Sequence, residues 1–343
     1  MSIESMDYQS ELANKIRAHL NDLTKPVGSL GRLEEFALQY CMIKQNEDAG
    51  LNRLKMYIFA GDHGVTEQNV CPYPKSVTCQ MAANIASGGA AISVLCKNSD
   101  IDLSVVDMGV DADLTYTPRL INCKVARGTK DFSRGCAMTS DECRDALDHG
   151  RRLAKESGAD LLGVGEMGIG NSSSASALYA MLLGIEPQRT VGVGTGSLGV
   201  MLERKKQVIA SSVAMHRKEW NGDALEALQR VGGYEIAGIA GMILGAAENA
   251  IPVVVDGFIA GAGALVAMRH EPKVKQYLFF SHASAEQFHK AFLEIEGLRP
   301  ILDLDMRLGE GSGAAIAMQI VKQAMNCYHQ MATFSSAGVS KEV

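Results

Sequence analysis

A single carboxylate, Glu310, stands between two glycines in MRLGEGSGAAIAM, at the start of an Ala-rich stretch that predicts a helix. The small neighbouring residues allow a ligand to pack closely, and Glu310 is free to point into a cleft. A carboxylate in a dry, partly apolar pocket has a raised pKa and can accept a proton near neutral pH. Glu310 is therefore a candidate general base, although a carboxylate could also stand there only to complement a helix N-terminus.

A second Gly-rich loop, GVGEMGIGNSSSASAL, also joins a carboxylate to a predicted helix start. Its glycines let backbone N–H groups approach a ligand. We expect Asn171 or Ser172 to cap the helix, whose N-terminus would attract a phosphate. Glu166 lies just before the loop. The alternative is that these glycines only tighten a turn between a strand and a helix.

Other polar groups follow apolar segments. Asp62 and His63 in AGDHGV could act as an acid–base pair, although a histidine in that place is as often a structural hydrogen-bonding residue. The segment SHASAE, residues 281–286, offers several hydrogen-bonding groups. Donors among them, together with Lys205 from ERKK, could bind phosphate. Considered alone, Lys205 fits better as a solvated charge on a helix.

The segment GVGTGS, residues 192–197, resembles half of a dinucleotide-binding fingerprint. The full GxGxxG spacing at the start of a helix is missing, and no ribose-binding acid follows at the usual distance. An NAD-dependent dehydrogenase is therefore a weak alternative.

The elements around these loops predict an α/β fold. Short apolar runs alternate with helical patterns from Leu54 onward, which favours a Rossmann-like, mostly parallel sheet with helices on both faces. The expected strands include KMYIFAG, DLSVVDMGV, ADLLGVGEM, TVGVGTGS, IPVVVDGF and YLFFSHAS. A helical hairpin over residues 8–45 precedes them. Ligands of such sheets bind at the carboxyl ends of strands, where the loops described above begin.

Composition narrows the function classes. The chain has 343 residues, 47% of them hydrophobic, and a net charge of -6 without a Lys/Arg stripe, so we expect no nucleic-acid partner. The eight cysteines lack metal-ligand spacing, which favours reduced thiols and no structural metal. The most apolar region, residues 236–268, is interrupted by polar residues, so we expect no membrane span and a cytoplasmic location.

Motifs along nearly the whole chain resemble those of one family, in its order. They are TKPVGSLGRLE, GDHGV, GVGEMGIGNSSSASA, VGGYEIAGIAGMILGAA, PVVVDGF, SHASAE and MRLGEGSGAA. The family is that of the nicotinate-nucleotide:dimethylbenzimidazole phosphoribosyltransferases, which activate the lower ligand of cobamides. The resemblance implies a small helical domain from residues 1–48 and 322–343, and a large α/β catalytic domain from residues 49–321. It also implies a dimer whose active site borrows residues from the partner.

The resemblance further implies a reaction and roles for residues. Nicotinate mononucleotide and an aromatic base would give the α-linked ribotide and nicotinate, without a cofactor or a metal. Glu310 has the position of the family's general base and Glu166 that of its supporting glutamate. The residues expected to bind the phosphate and ribose are Gly168, Asn171, Ser172, Gly194, Lys205, Ser284, Gly309 and Gly311.

The acceptor pocket is where this chain departs from the family pattern. By motif order it should include Tyr73, Gln80, Met81 and Met167. A benzimidazole-using member has Ser and Gln where this chain has Tyr73 and Met81. Transfer to phenol or p-cresol, by a heterodimer of two related chains, is therefore an alternative to transfer to a benzimidazole by a homodimer. A catalytically silent partner subunit is a third possibility.

Overall fold

A computed structural model describes residues 3–194 and 196–340. In this part of the chain, six strands form one parallel sheet in the order β3-β2-β1-β4-β5-β6. The strands are β1 Leu54–Gly61, β2 Ile101–Gly109, β3 Leu120–Asn122, β4 Leu161–Met167, β5 Val253–Val255 and β6 Leu278–Phe280. The prediction of a Rossmann-like α/β fold is confirmed.

Helices cover both faces of the sheet. They are α1 Glu11–Asp22, α2 Arg32–Lys44, α3 Ser76–Ser87, α4 Ala91–Asn98, α5 Ser140–Glu156, α6 Asn171–Leu183, α7 Pro187–Thr190, α8 Val200–His216, α9 Ala224–Val231, α10 Tyr234–Glu248, α11 Phe258–His270, α12 His289–Ile295, α13 Ser312–Gln330 and α14 Phe334–Ala337. Two 3₁₀ turns, Gly64–Gln68 and Pro272–Tyr277, complete the elements.

The strand order reverses between β1 and β4, which pair in parallel in the middle of the sheet. Chains that leave two such strands diverge to opposite sides, so a crevice opens at their carboxyl ends. Glu166 lies next to the end of β4, where it is paired with Phe59 of β1. The sheet thus brings the GVGEMGIGN loop to the edge at which ligands bind.

Glycines let the most buried helices pack closely. Nearly every residue of α10 is buried, and its Gly241 lies against the backbone carbonyl of Leu147 on α5. A Cβ on Gly150 of α5 would in turn overlap the carbonyl of Gly238. Because no side chain keeps these helices apart, α10 lies deep between α5 and the sheet, and Glu235 at its start is carried to the carboxyl edge.

The two ends of the described chain meet. Leu23 and Thr333 form an antiparallel bridge, and the Thr24 N–H donates to the Ala332 carbonyl at 3.0 Å. One continuous helix, α13, runs from the Glu310 loop into this region, across the predicted domain boundary at 321/322. The division into two domains therefore stays a prediction.

One local expectation differs from the structure. No strand forms over residues 190–194, where TVGVGTGS predicted one, and residue 195 lies outside the described residues. The backbone there turns at Gly194, with φ of 53°, and its polar groups bond to side chains of the site.

The apolar stretch Ser76–Asn98 has the length and hydropathy of a membrane span, but it is broken into α3 and α4 after Gly88, whose φ is 98°.

Candidate active site

A cleft at the carboxyl ends of β4, β5 and β6 is lined by many of the residues that the sequence predicts for the active site. The predicted residues that line it are Glu166, Asn171, Ser172, Gly194, Ser284 and Gly309. His282 and Glu286 of SHASAE line it as well. Asp256 and Arg307 also lie there, although their sequence context did not mark them. Loops that are far apart in the chain therefore form one site.

Glu166 lies at the floor of this cleft. Its carboxyl group is buried, and the Asn171 side-chain amide donates a hydrogen bond to Oε2. Burial, followed by the nearby charges of Asp256 and Glu235, raises the pKa of Glu166 to about 8. At neutral pH the Glu166 carboxyl group is therefore mostly protonated and uncharged, beside the other carboxyl groups of the cleft.

The start of α6 differs from expectation. The prediction that Asn171 or Ser172 caps this helix is wrong, because Gly170 is the N-cap, with φ of 98°, and no side chain caps it. A side chain at that position would contact Thr66 and the ring of His63. Asn171 and Ser172 instead direct their polar groups to Glu166 and Lys205.

Lys205 extends from α8 into the same region. Its ammonium donates to Ser172 Oγ at 2.9 Å and to the Gly192 carbonyl at 3.3 Å, and the residue is 1% exposed. Burial lowers the pKa of Lys205, while the charge of Glu286 acts in the opposite direction. The interpretation of Lys205 as a solvated helix charge is thus wrong. A buried cation beside the Ser172 hydroxyl is suited to bind an anion.

The SHASAE segment is fixed by its own hydrogen bonds. The Ser284 N–H donates to His289 Nδ1 at 2.9 Å, and Ser284 Oγ accepts the Glu286 N–H at 3.3 Å. Burial, followed by the nearby ring of His282, lowers the pKa of His289 to about 3, so His289 is neutral and can accept. Glu286 in turn accepts the Gly194 N–H at 3.2 Å. The segment thus faces Gly194 and Lys205 across the cleft.

Glu310 occupies an unusual backbone conformation. Gly309, Glu310 and Gly311 have φ values of 81°, 59° and 78°, three left-handed residues in succession. The Ser312 N–H and hydroxyl both bond to the Gly309 carbonyl, at 3.1 and 2.8 Å. A non-glycine residue seldom adopts this conformation, and such strain is commonest at functional sites.

The Glu310 loop lies directly against the Glu166 carboxyl group. A Cβ on Gly309 would come within 2.5 Å of Glu166 Oε1, so the two carboxyl-bearing segments are in contact. Glu310 itself is 7% exposed and is not among the residues that line the cleft. Burial raises the pKa of Glu310, and the charge of Asp256 raises it further. Both effects favour a carboxylate that can take up a proton.

Asp62 and His63 belong to two separate buried networks and do not form a pair. His63 Nε2 is 2.7 Å from a Glu235 carboxylate oxygen, and its Nδ1 is 3.0 Å from Ser174 Oγ. Asp62 accepts hydrogen bonds from the Thr78 hydroxyl and from the Asp111 N–H. Neither residue lines the cleft. Their contacts fit the structural alternative.

The predicted acceptor residues lie in the segment before α3, in α3 and at the end of β4. Tyr73 is 50% exposed and Gln80 is exposed, whereas Met81 is half-buried and Met167 is buried. None of them lines the cleft described above, and neither does Gly168, which packs on the Gly61 carbonyl. Their role in binding stays a prediction.

Thr78 connects this acceptor segment to the site, which the sequence did not reveal. Its hydroxyl donates to Asp62 at 2.7 Å and accepts the Ile169 N–H at 3.0 Å. The start of α3 is thereby tied to the loop that follows β4.

Over residues 3–194 and 196–340, no group of three or more His, Cys, Asp or Glu side chains has the arrangement of a metal site.

Residues 5–339 match the family described as phosphoribosyltransferase. The chain belongs to this phosphoribosyltransferase family. It is 48% identical, over 99% of its length and 96% of the relative's, to the nicotinate-nucleotide–dimethylbenzimidazole phosphoribosyltransferase of Chlorobaculum parvum. The enzyme of the same name from Geobacter sulfurreducens is 46% identical, over 97% of this chain and 95% of that enzyme.

A solved structure supports the same relation. The crystal structure of CobT from Thermus thermophilus superposes with a TM-score of 0.93 at 42% identity, over 97% of this chain and 100% of that one. The family resemblance drawn from the motifs is confirmed, and so is the class of enzyme, a pentosyltransferase. In a phosphoribosyltransferase, the buried Lys205 and the loops around it are candidates for the phosphate site.

The buried carboxyl group of Glu166 should make the stability of this phosphoribosyltransferase depend on pH. Its pKa lies near 8 in the folded state and near 4.5 in the unfolded chain. Between these two pKa values the folded state binds more protons than the unfolded chain, so the free energy of unfolding falls as pH rises. Above the folded-state pKa of about 8 it becomes constant. Urea titrations between about pH 4.5 and 8.5 should show a flatter profile for Glu166→Gln than for wild type. Glu203→Gln, an exposed change, should leave the slope as it is, and parallel profiles for wild type and Glu166→Gln would contradict this prediction.

Proposed function

We propose that this chain transfers the 5-phosphoribosyl group of nicotinate mononucleotide to a lower-ligand base of a cobamide, with 5,6-dimethylbenzimidazole as the preferred acceptor. The products are the α-linked ribotide and nicotinate. The observation that carries the proposal is Glu310, a buried carboxylate with a raised pKa, in a loop whose Gly309 lies against Glu166 at the edge of the sheet. The names of the relatives given above support the same donor and acceptor.

The donor explains why one base is sufficient. Nicotinate leaves a cationic pyridinium ribotide as a ring with a neutral nitrogen, so the leaving group needs no proton, unlike the alkoxide of an ordinary glycoside. As the unprotonated ring nitrogen of the benzimidazole bonds to C1 of the ribose, the N–H of its other ring nitrogen must lose its proton, and Glu310 takes that proton. Attack opposite the leaving group inverts a β-linkage to an α-linkage.

The surrounding charges suit the transition state. The ribose becomes oxocarbenium-like as nicotinate leaves, and a positive charge develops near C1. The buried Glu310 carboxylate is preorganised to stabilise that charge in a water-poor site. No metal takes part in this proposal, because no pyrophosphate leaves and the phosphate on the ribose is only a binding handle.

The phosphate of the donor is assigned to the opposite side of the cleft. Lys205 supplies the charge, while Ser172, Ser284 and the backbone at Gly194 supply neighbouring hydrogen-bonding groups. Anchoring the phosphate there fixes C1 of the ribose relative to Glu310, which is a positioning effect of the kind that accelerates two-substrate reactions. Glu286, which accepts the Gly194 N–H, would have to yield part of this space.

We also infer a dimer, as a homodimer or with a related chain, and a cytoplasmic location. The family resemblance supports the dimer. The lack of pairing or metal-ligand spacing among the eight cysteines supports a reducing compartment.

A competition assay tests the acceptor. The purified chain is incubated with nicotinate mononucleotide and equal amounts of 5,6-dimethylbenzimidazole, adenine, phenol and p-cresol, and the ribotides are measured by mass spectrometry. We expect the benzimidazole ribotide to dominate. An adenine ribotide or an O-linked phenolic ribotide in its place would overturn the acceptor assignment. No product with any acceptor would overturn the activity and favour a silent partner subunit.

Replacing the base tests the mechanism. Glu310→Gln keeps the volume of the side chain but cannot accept the proton, so we expect kcat to fall by about 10²–10⁴. The KM for nicotinate mononucleotide should change little, because Glu310 acts on the acceptor. Circular dichroism verifies the fold of the variant. Wild-type turnover in a folded Glu310→Gln protein would exclude Glu310 as the base.

Two adjacent lysines give a matched test of the phosphate site. Lys205→Met removes a buried charge, and Lys206→Met removes a more exposed one that pairs with Glu203. Loss of a charge-assisted hydrogen bond costs about 1.5–3 kcal/mol, so Lys205→Met should raise the KM for nicotinate mononucleotide about tenfold to a hundredfold. Steady-state kinetics should leave Lys206→Met at wild-type values. Equal effects of the two changes would contradict the assignment.

A further inference from the structure

The helix that follows Glu310 is capped by a residue from a distant part of the chain. The first N–H groups of a helix need acceptors, which the N-cap side chain usually supplies. In α13 the N-cap is Gly311, which has no side chain. The Asp256 carboxylate takes over this role, with Oδ2 accepting the Gly311 N–H at 3.0 Å and Oδ1 accepting the Ala314 N–H at 3.1 Å.

A local cap is excluded by packing. Gly311 has φ of 78°, and a Cβ there would lie 2.8 Å from Ile58 and 3.0 Å from the Met56 sulfur. On the other side, a Cβ on Gly165 of β4 would overlap the Gly311 backbone. Only glycine therefore fits at position 311. A hydrogen-bond acceptor for the first N–H groups of α13 has to come from another element.

Asp256 is well placed to supply that acceptor, because the sheet holds it rigidly. It directly follows β5, its N–H donates to the Val164 carbonyl at 3.2 Å, and its carbonyl accepts the Ser281 hydroxyl at 3.1 Å. The residue is 1% exposed. Its carboxylate is thus fixed relative to β4 and β6, and it transmits that position to the start of α13.

We propose that Asp256 is a positioning residue for Glu310, because its two hydrogen bonds to the helix start hold the left-handed loop in place. This inference rests on the proposed role of Glu310 as the general base. Glu310 is the residue directly before Gly311, so a shift of the helix start moves its backbone. A misplacement of about 1 Å in a catalytic group can cost about 10²-fold in rate.

The charge of Asp256 acts in the same direction as burial, since both raise the pKa of Glu310. Other charged or titratable groups face the loop from the neighbouring elements. They are Glu166 on β4, His282 and Glu286 after β6, and Arg307 just before the loop, while Glu235 on α10 acts on Glu166. His282 Nδ1 lies 3.9 Å from Asp256 Oδ1. A change at Asp256 leaves these side chains in place but also removes a charge that raises the pKa of Glu166. Because Glu166 titrates near pH 8, its change falls on the alkaline side of the profile, whereas the acid limb reports the base.

A double-mutant cycle in the full-length enzyme tests the positioning role. Asp256→Asn can keep one of the two hydrogen bonds and removes the charge, and we expect kcat to fall about tenfold to a hundredfold. When the base is already lost in Glu310→Gln, adding Asp256→Asn should cost little more, because the two residues act as one unit. Multiplicative effects of the two changes would overturn the inference.

The pH profile of kcat/KM gives a readout that a purely structural role would not move. Loss of the Asp256 charge lowers the pKa of Glu310, so the acid limb should shift to lower pH in Asp256→Asn. Asp303→Asn serves as the control, because Asp303 is an exposed residue that pairs with Lys290. An acid limb at the wild-type pH in Asp256→Asn would also overturn the inference.

The outcomes separate this inference from the proposed function. If Glu310→Gln alone retains wild-type turnover, the assignment of the base fails, whatever Asp256 does. If Glu310→Gln is inactive but Asp256→Asn acts independently of it, only the positioning role fails. Circular dichroism and urea midpoints show that each variant is folded, and the cycle is evaluated only as ratios between folded proteins.

Discussion

The site depends on one close backbone contact, between Gly165 of β4 and Gly311 at the start of α13. Neither residue has a side chain, so the helix start lies directly on the strand. That contact brings the Glu310 loop beside Glu166, and it requires a left-handed backbone that only a few residues adopt without strain. The geometry of the candidate site is therefore determined by two glycines that lack side chains as much as by its carboxylates.

This arrangement places several acidic groups in a small buried volume. Glu166, Asp256 and Glu310 are all nearly inaccessible to water. Their negative charges are reduced or stabilised in different ways. Glu166 is protonated near neutral pH, and the Asp256 carboxylate accepts two N–H groups at a helix start. Glu310 has a raised pKa. Three similar side chains thus acquire distinct properties from their surroundings alone, as carboxyl pairs of hydrolytic enzymes also do.

Much of the fold could be predicted, because its signals are local, whereas part of the site could not. Buried parallel strands form short apolar runs, and LLGVGEM and IPVVVDGF indicated β4 and β5. Nothing in ERKK tells which of two adjacent lysines points inward, so Lys205 stayed ambiguous. Asp256 was missed because its partners Gly311 and Ala314 are 55 and 58 positions away in the chain. The hydrogen bonds between Asp256 and these residues form only when β5 and α13 come together in the fold, so no local sequence pattern predicts them.

The helix α13 follows all six described strands in the chain, and this order has a consequence for biosynthesis. Chains are made from the N-terminus, so β1 and β4 exist before α13 is available to cover Met56, Ile58 and Gly163. Until then, this apolar face of the nascent sheet is open to water and to other chains, which is a condition that favours aggregation. The Glu310 loop and the helix that completes the core arrive together, so a chain that stops early lacks both its candidate base and its protection.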